Sequence, residues 1–104
     1  MKIELKRFGT LLVSRQNGRE ALAAFQPQLT TLKINENLEL DFDGVLTFSP
    51  SWGDEFLTPL LKKYGANLIL ENIANSSVKT TIEFLEQIHH NKFSKAPTSQ
   101  NKKN

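Results

Sequence analysis

The residues with the most chemical potential sit in one stretch, Ser49-Pro50-Ser51-Trp52-Gly53-Asp54-Glu55. Two hydroxyls lie beside an indole and a pair of carboxylates. Ser51 supports two readings. As a helix cap its hydroxyl would satisfy a free amide of the first turn and contribute about 1 kcal/mol. As a phosphoacceptor it would place a phosphate at the positive end of a helix, bringing up to about two negative charges near Asp54 and Glu55. Ser49 is the alternative cap, with Pro50 at the first helical position; a Ser51-x-x-Asp54 capping box is the other. Trp52 begins an apolar stripe, which marks it as core, but a tryptophan at the start of a functional loop also suits a partner interface.

Two further constellations need weighing. Asp41, Asp43, Asp54 and Glu55 could together hold a divalent cation or perform acid/base work. A turn position for Asp43 and helix-start positions for Asp54 and Glu55 account for the same residues without a ligand, so no metal site is assigned. His89 and His90 are the only histidines, and near a helix C-terminus an imidazolium complements the dipole. A Ser–His–acid triad would need one of them to reach Ser51, and no nucleophile-elbow pattern is present. The five glycines are dispersed, so neither a phosphate loop nor a dinucleotide fingerprint exists. No cofactor is expected, and the chain reads as non-enzymatic.

The elements that must position these residues follow from periodicity. Ile3 and Leu5 alternate with Lys2, Glu4 and Lys6, and Thr10-Leu11-Leu12-Val13 reads as a second strand, so a hairpin through Gly9 is expected. Ser14 suits an N-cap, followed by Ala21, Leu22, Phe25 and Leu29 at helical spacing, with Pro27 an end or kink. Leu38, Leu40 and Phe42 alternate with Glu39 and Asp41; Asp43-Gly44 is a turn, and Val45, Leu46 and Phe48 extend the apolar surface. Trp52, Phe56, Leu60 and Tyr64 recur every four residues, with Pro59 predicting a kink or a break and Gly65 the close. Leu68-Ile69-Leu70 reads as a buried strand, and Asn75-Ser76-Ser77 caps a last helix that presents Val78, Ile82, Leu85 and Ile88. Strands alternating with helices call for a parallel or mixed sheet built by right-handed crossovers.

In this order the fragments resemble a known family. Phe8-Gly9-Thr10, Ser14-Arg15, Leu40-Asp41-Phe42-Asp43-Gly44-Val45, Ser51-Trp52-Gly53-Asp54-Glu55 and Leu70-Glu71-Asn72 are similar to the STAS-like domains of unknown function. That family is related to the STAS domain of anti-sigma factor antagonists. The resemblance spans roughly residues 3–90. It implies an α/β fold with a central mixed β-sheet and helices mainly on one face. It further implies a bacterial regulatory module that binds a protein partner, a kinase-like ATPase or another signalling protein. The Val45–Glu55 loop and helix start would be the contact, with Ser49, Ser51, Trp52, Asp54 and Glu55 as partner-binding or phosphoacceptor candidates. The alternative is a small-ligand or nucleotide sensor using the same helix N-terminus.

Composition sets the outer limits. The chain has 104 residues, one domain's worth, and no cysteine, which excludes disulfides, zinc-thiolate sites and thiol nucleophiles. The pI near 9.0 suggests nucleic acid until the charge is located. Four of the 13 basic residues, Lys92, Lys95, Lys102 and Lys103, follow Asn91, leaving nine bases against all 11 acids before it. A mildly acidic domain over residues 1–91 with a disordered basic tail over 92–104 is therefore expected, and nucleic acid is disfavoured. No apolar run suits a membrane span and no signal-peptide pattern appears, so a cytoplasmic protein is expected.

Overall fold

The computed structural model describes residues 1–97 of the chain. The elements run β1 (Lys2–Glu4), β2 (Leu11–Leu12), α1 (Arg15–Leu29), β3 (Leu38–Asp41), β4 (Thr47–Phe48), α2 (Pro50–Tyr64), β5 (Leu68–Glu71), α3 (Ser76–His89) and β6 (Ser94–Lys95). The main sheet has the order β1-β3-β5-β6, and every pairing in it is parallel, in registers that include Ile3↔Leu40↔Leu70↔Lys95. The sheet is thus parallel rather than mixed. Its strands step in one direction, and right-handed crossovers then put all three helices on the same face. Burial agrees with this. Ile3, Leu38, Leu40, Leu68 and Leu70 are buried, whereas Lys2 and Glu4 are exposed and Glu39 and Glu71 partly so. Among the described residues no helix is long and apolar enough to cross a membrane.

The expected hairpin through Gly9 does not form. β1 ends at Glu4, Leu5–Phe8 is a single 3-10 turn, and Gly9 closes it with φ 125° and its amide on the Lys6 carbonyl. β2 instead pairs in parallel with β4 as a separate two-stranded ribbon. Strand alternation could not reveal this, because Leu5 is fully buried in the 3-10 turn as it would be in a strand.

An aromatic cluster forms the centre of the helix layer. Trp52 and Phe56 stack with ring centroids 4.8 Å apart, Phe25 stacks on Phe56 at 5.9 Å, and Phe8 and Phe48 close the sides. α1 begins at the Ser14 cap, whose hydroxyl accepts from the Asn17 amide. α2 runs unbroken past Pro59 to Tyr64, with that proline exposed. In α3, Asn75 caps the Ser77 and Val78 amides, and Val78, Ile82 and Leu85 are buried, but Ile88 faces solvent.

The domain does not stop at Asn91. Phe93 joins the core, β6 pairs with β5, and both are secured by the buried Glu86 carboxylate, which accepts from the Phe93 amide and the Lys95 ammonium. One apolar side chain and one ion pair thus turn the first part of the expected tail into an edge strand. Residues 98–104, the rest of that tail, lie outside the described residues.

Candidate functional site

The ribbon sits against the start of α2, and Ser49 is the joint between them. Its hydroxyl donates to the Val13 carbonyl at 2.6 Å and accepts from the Trp52 amide at 3.3 Å, so Ser49 rather than Ser51 is the N-cap. Pro50 then occupies the first helical position, where a missing amide costs nothing. Ser51 is one residue into the helix and half-buried, and its hydroxyl makes no hydrogen bond among the described residues. The Trp52 amide is taken by the cap and Pro50 has no donor, which leaves the Ser51 amide uncapped at this end. One amide is a poor cradle for an anion, which usually meets several.

Trp52 is 1% exposed, so the interface role considered for it is replaced by a core role. It touches three rings, and its backbone is the floor on which α1 packs.

Asp54 and Glu55 hold the three helices together. Arg15 Nη1 reaches Glu55 Oε2 at 2.8 Å and Asp54 Oδ2 at 3.3 Å, and Arg19 approaches Glu55 at 3.5 Å. From α3, His89 Nε2 lies 3.0 Å from Asp54 Oδ1, which also accepts from the Thr58 hydroxyl at 2.9 Å. Burial pushes the Asp54 carboxyl up, but the bonds from His89, Thr58 and Arg15 outweigh it and set its pKa below the ordinary value. Glu55 is also held low, chiefly by its bond from Arg15.

This geometry is not a nucleophilic triad. A carboxylate only accepts, so the His89 Nε2 that faces Asp54 must carry the proton. The Thr58 hydroxyl meets that same nitrogen, at 3.3 Å, and finds no base there. Ser51 is not a hydrogen-bonding partner of either histidine among the described residues.

The four carboxylates considered as a cation cluster fall into two sites. Asp41 accepts from the Asp43 amide at 2.9 Å and from Asn72 Nδ2 at 2.8 Å, with Lys2 at 3.8 Å, far in role from the Arg15 pairings of Asp54 and Glu55. Among the described residues no three His, Asp or Glu side chains form a metal-ligating group.

The feature not foreseen is apolar. Leu11 is 62% exposed, Leu46 63% and Val13 45%, all on or beside the ribbon. The outer edge of β4 is sealed by α3: Ser77 Oγ accepts from the Phe48 amide at 3.0 Å, and the Thr81 hydroxyl donates to the Phe48 carbonyl. The β2 edge is different. Parallel pairing uses the Thr10 and Leu12 carbonyls, and the alternation of such a ladder turns the Leu11 amide and carbonyl outward. They have no partner among the described residues. The signal was available in the sequence, as Leu11-Leu12-Val13 has more apolar side chains than one face of a short strand can bury.

The family model described as a STAS-like domain of unknown function (DUF4325) matches residues 25–82, from the last third of α1 into α3. No curated protein and no solved structure matches the chain.

Proposed function

Because the chain belongs to the family of STAS-like domains of unknown function, we propose that it is a non-enzymatic regulatory module that binds a protein partner. The contact is the Val45–Glu55 segment together with the β2–β4 ribbon beside it. The observation that carries this reading is the exposure of Leu11, Val13 and Leu46 around the outward edge of β2. Apolar side chains grouped beside unpaired backbone are what an interface covers, and an extended partner segment can add to such an edge. The family resemblance favours a kinase-like ATPase or another signalling protein as the partner.

Ser51 is the switch in this proposal. It lies one turn before Asp54 and Glu55, on their face of α2. A phosphate there competes with both carboxylates for Arg15 and changes the charge beside the ribbon. The test is quantitative affinity purification from the native host with wild type, a Leu11→Ser/Leu46→Ser double variant, Ser51→Asp and Ser51→Ala. A partner retained by wild type and lost by the double variant supports the reading; identical recovery by both ends it. Equal recovery by Ser51→Asp and Ser51→Ala removes the switch and leaves the interface.

A further inference from the structure

We infer that the opposite end of the domain carries a second docking surface, shaped for an acidic segment of a partner protein. The loop from α1 to β3 enters that strand at one end, and the Val45–Glu55 segment leaves it from the other. The two surfaces are therefore independent.

The loop presents an isoleucine to water by construction. Glu36 donates its amide to the Lys33 carbonyl at 3.0 Å, and Asn35 has φ 69°, which makes Lys33-Ile34-Asn35-Glu36 a turn with the positive φ at its third residue. Ile34 occupies the tip and is 93% exposed. The turn is not loose. The Glu36 carboxylate accepts from the Lys33 amide at 2.9 Å and from the Met1 ammonium at 3.0 Å, and the same ammonium donates to the Asn37 carbonyl. An ordered turn that holds a large apolar side chain fully in water gains nothing from it in the folded monomer.

Beside Ile34 lies a cleft of about 400 Å3 whose walls include Leu29, Leu32, Tyr64, Lys33 and Lys63. The lysines supply the charge. Among the described residues, Lys33, Lys62 and Lys63 form no salt bridge, and Lys63 rests over the Tyr64 ring at 5.5 Å. Glu36, the acid of this turn, is already engaged by the Met1 ammonium and the Lys33 amide. Lys62 and Lys63 also suit the negative end of α2, but Lys33 ends no helix. The pole is thus cationic on a domain whose described residues balance 11 bases against 11 acids, with an apolar knob and cleft at its centre. That combination fits an acidic segment carrying apolar side chains, steered by charge and fixed by burial.

The test uses the full chain and a fluorescein-labelled peptide of alternating glutamate and leucine, read by fluorescence anisotropy. Saturable binding is expected to weaken as salt rises. Lys33→Glu/Lys62→Glu/Lys63→Glu should weaken it about tenfold or more, Ile34→Ser about threefold or more, and Leu11→Ser/Leu46→Ser not at all. Absence of saturable binding overturns the inference. So does binding indifferent to Ile34→Ser, which marks plain charge attraction, or loss of binding in the Leu11→Ser/Leu46→Ser variant, which assigns the peptide to the ribbon. Co-sedimentation of the wild type, but not the triple variant, with phosphatidylserine vesicles in place of peptide binding also overturns it, in favour of a membrane contact.

Discussion

Gly18 on α1 lies directly against the main chain of Trp52 on α2: a Cβ at Gly18 would stand 2.6 Å from the Trp52 carbonyl oxygen and 3.0 Å from its Cα. Glycine weakens a helix interior by about 1 kcal/mol relative to alanine, so its presence here needs a reason. The reason is the approach of the two helices that carry Arg15 and Asp54. Backbone cannot yield as a flexible side chain can. Gly18→Ala is therefore expected to lower stability by about 1–3 kcal/mol despite its better helix propensity. Urea unfolding measures this; a stabilised variant would show that α1 rides further from α2.

The two serines at the start of α2 separate cleanly by stability. Ser49→Ala removes the cap and the tie to Val13, and is expected to cost about 1–2 kcal/mol. Ser51→Ala touches neither bond and should fall within about 0.5 kcal/mol of wild type. Thermal unfolding of both decides it, with equal losses contradicting the assignment of Ser49 as the cap.

Glu86 predicts a pH dependence. Burial raises its carboxyl pKa, but the Lys95 ammonium and the Phe93 amide more than compensate, so the folded-state value lies below the ordinary one. A depressed carboxyl pKa stabilises above the unfolded value, near 4.3, and that stability is lost as pH falls through the folded value. Glu86→Gln should be less stable than wild type by about 1–3 kcal/mol at pH 7, with the gap closing below about pH 4. Unfolding midpoints of both proteins across that range are the measurement. A gap that does not change with pH would show that the charge is not what matters.

Removing everything after Asn91 is expected to destabilise the domain, because Phe93 leaves the core and β5 loses its neighbour. Burial of one such side chain is worth about 1.5–3 kcal/mol. Phe93→Ala in the full chain should reproduce much of the loss. A truncated chain as stable as wild type would place the end of the domain at α3 after all.

Where the sequence was readable, a single physical rule decided the element. Asn75, Ser14 and the Pro50 position are local choices, settled by amides one turn away, and they are found as expected. The four-residue spacing of Trp52, Phe56 and Leu60 leaves one possible face for burial. Long-range pairing was less accessible. Leu5 satisfies its burial equally in a strand or a 3-10 turn, so alternation pairs β1 with β2 although they belong to different sheets. Arg15 meets Asp54 and Glu55 across 39 and 40 residues, and His89 meets Asp54 across 35; no local pattern encodes such contacts. Phe93 was lost among polar neighbours because one apolar residue in a lysine-rich stretch carries no periodicity.

The parallel order of the strands also has a kinetic side. No strand pair among the described residues is a hairpin, and Ile3 must find Leu40 before β1 has any neighbour at all. Each pairing closes a long loop before it returns any enthalpy, which slows folding relative to sheets that zip from a turn. During synthesis β1 therefore waits, unpaired, until β3 has been made. β5 keeps an open edge until β6 follows α3.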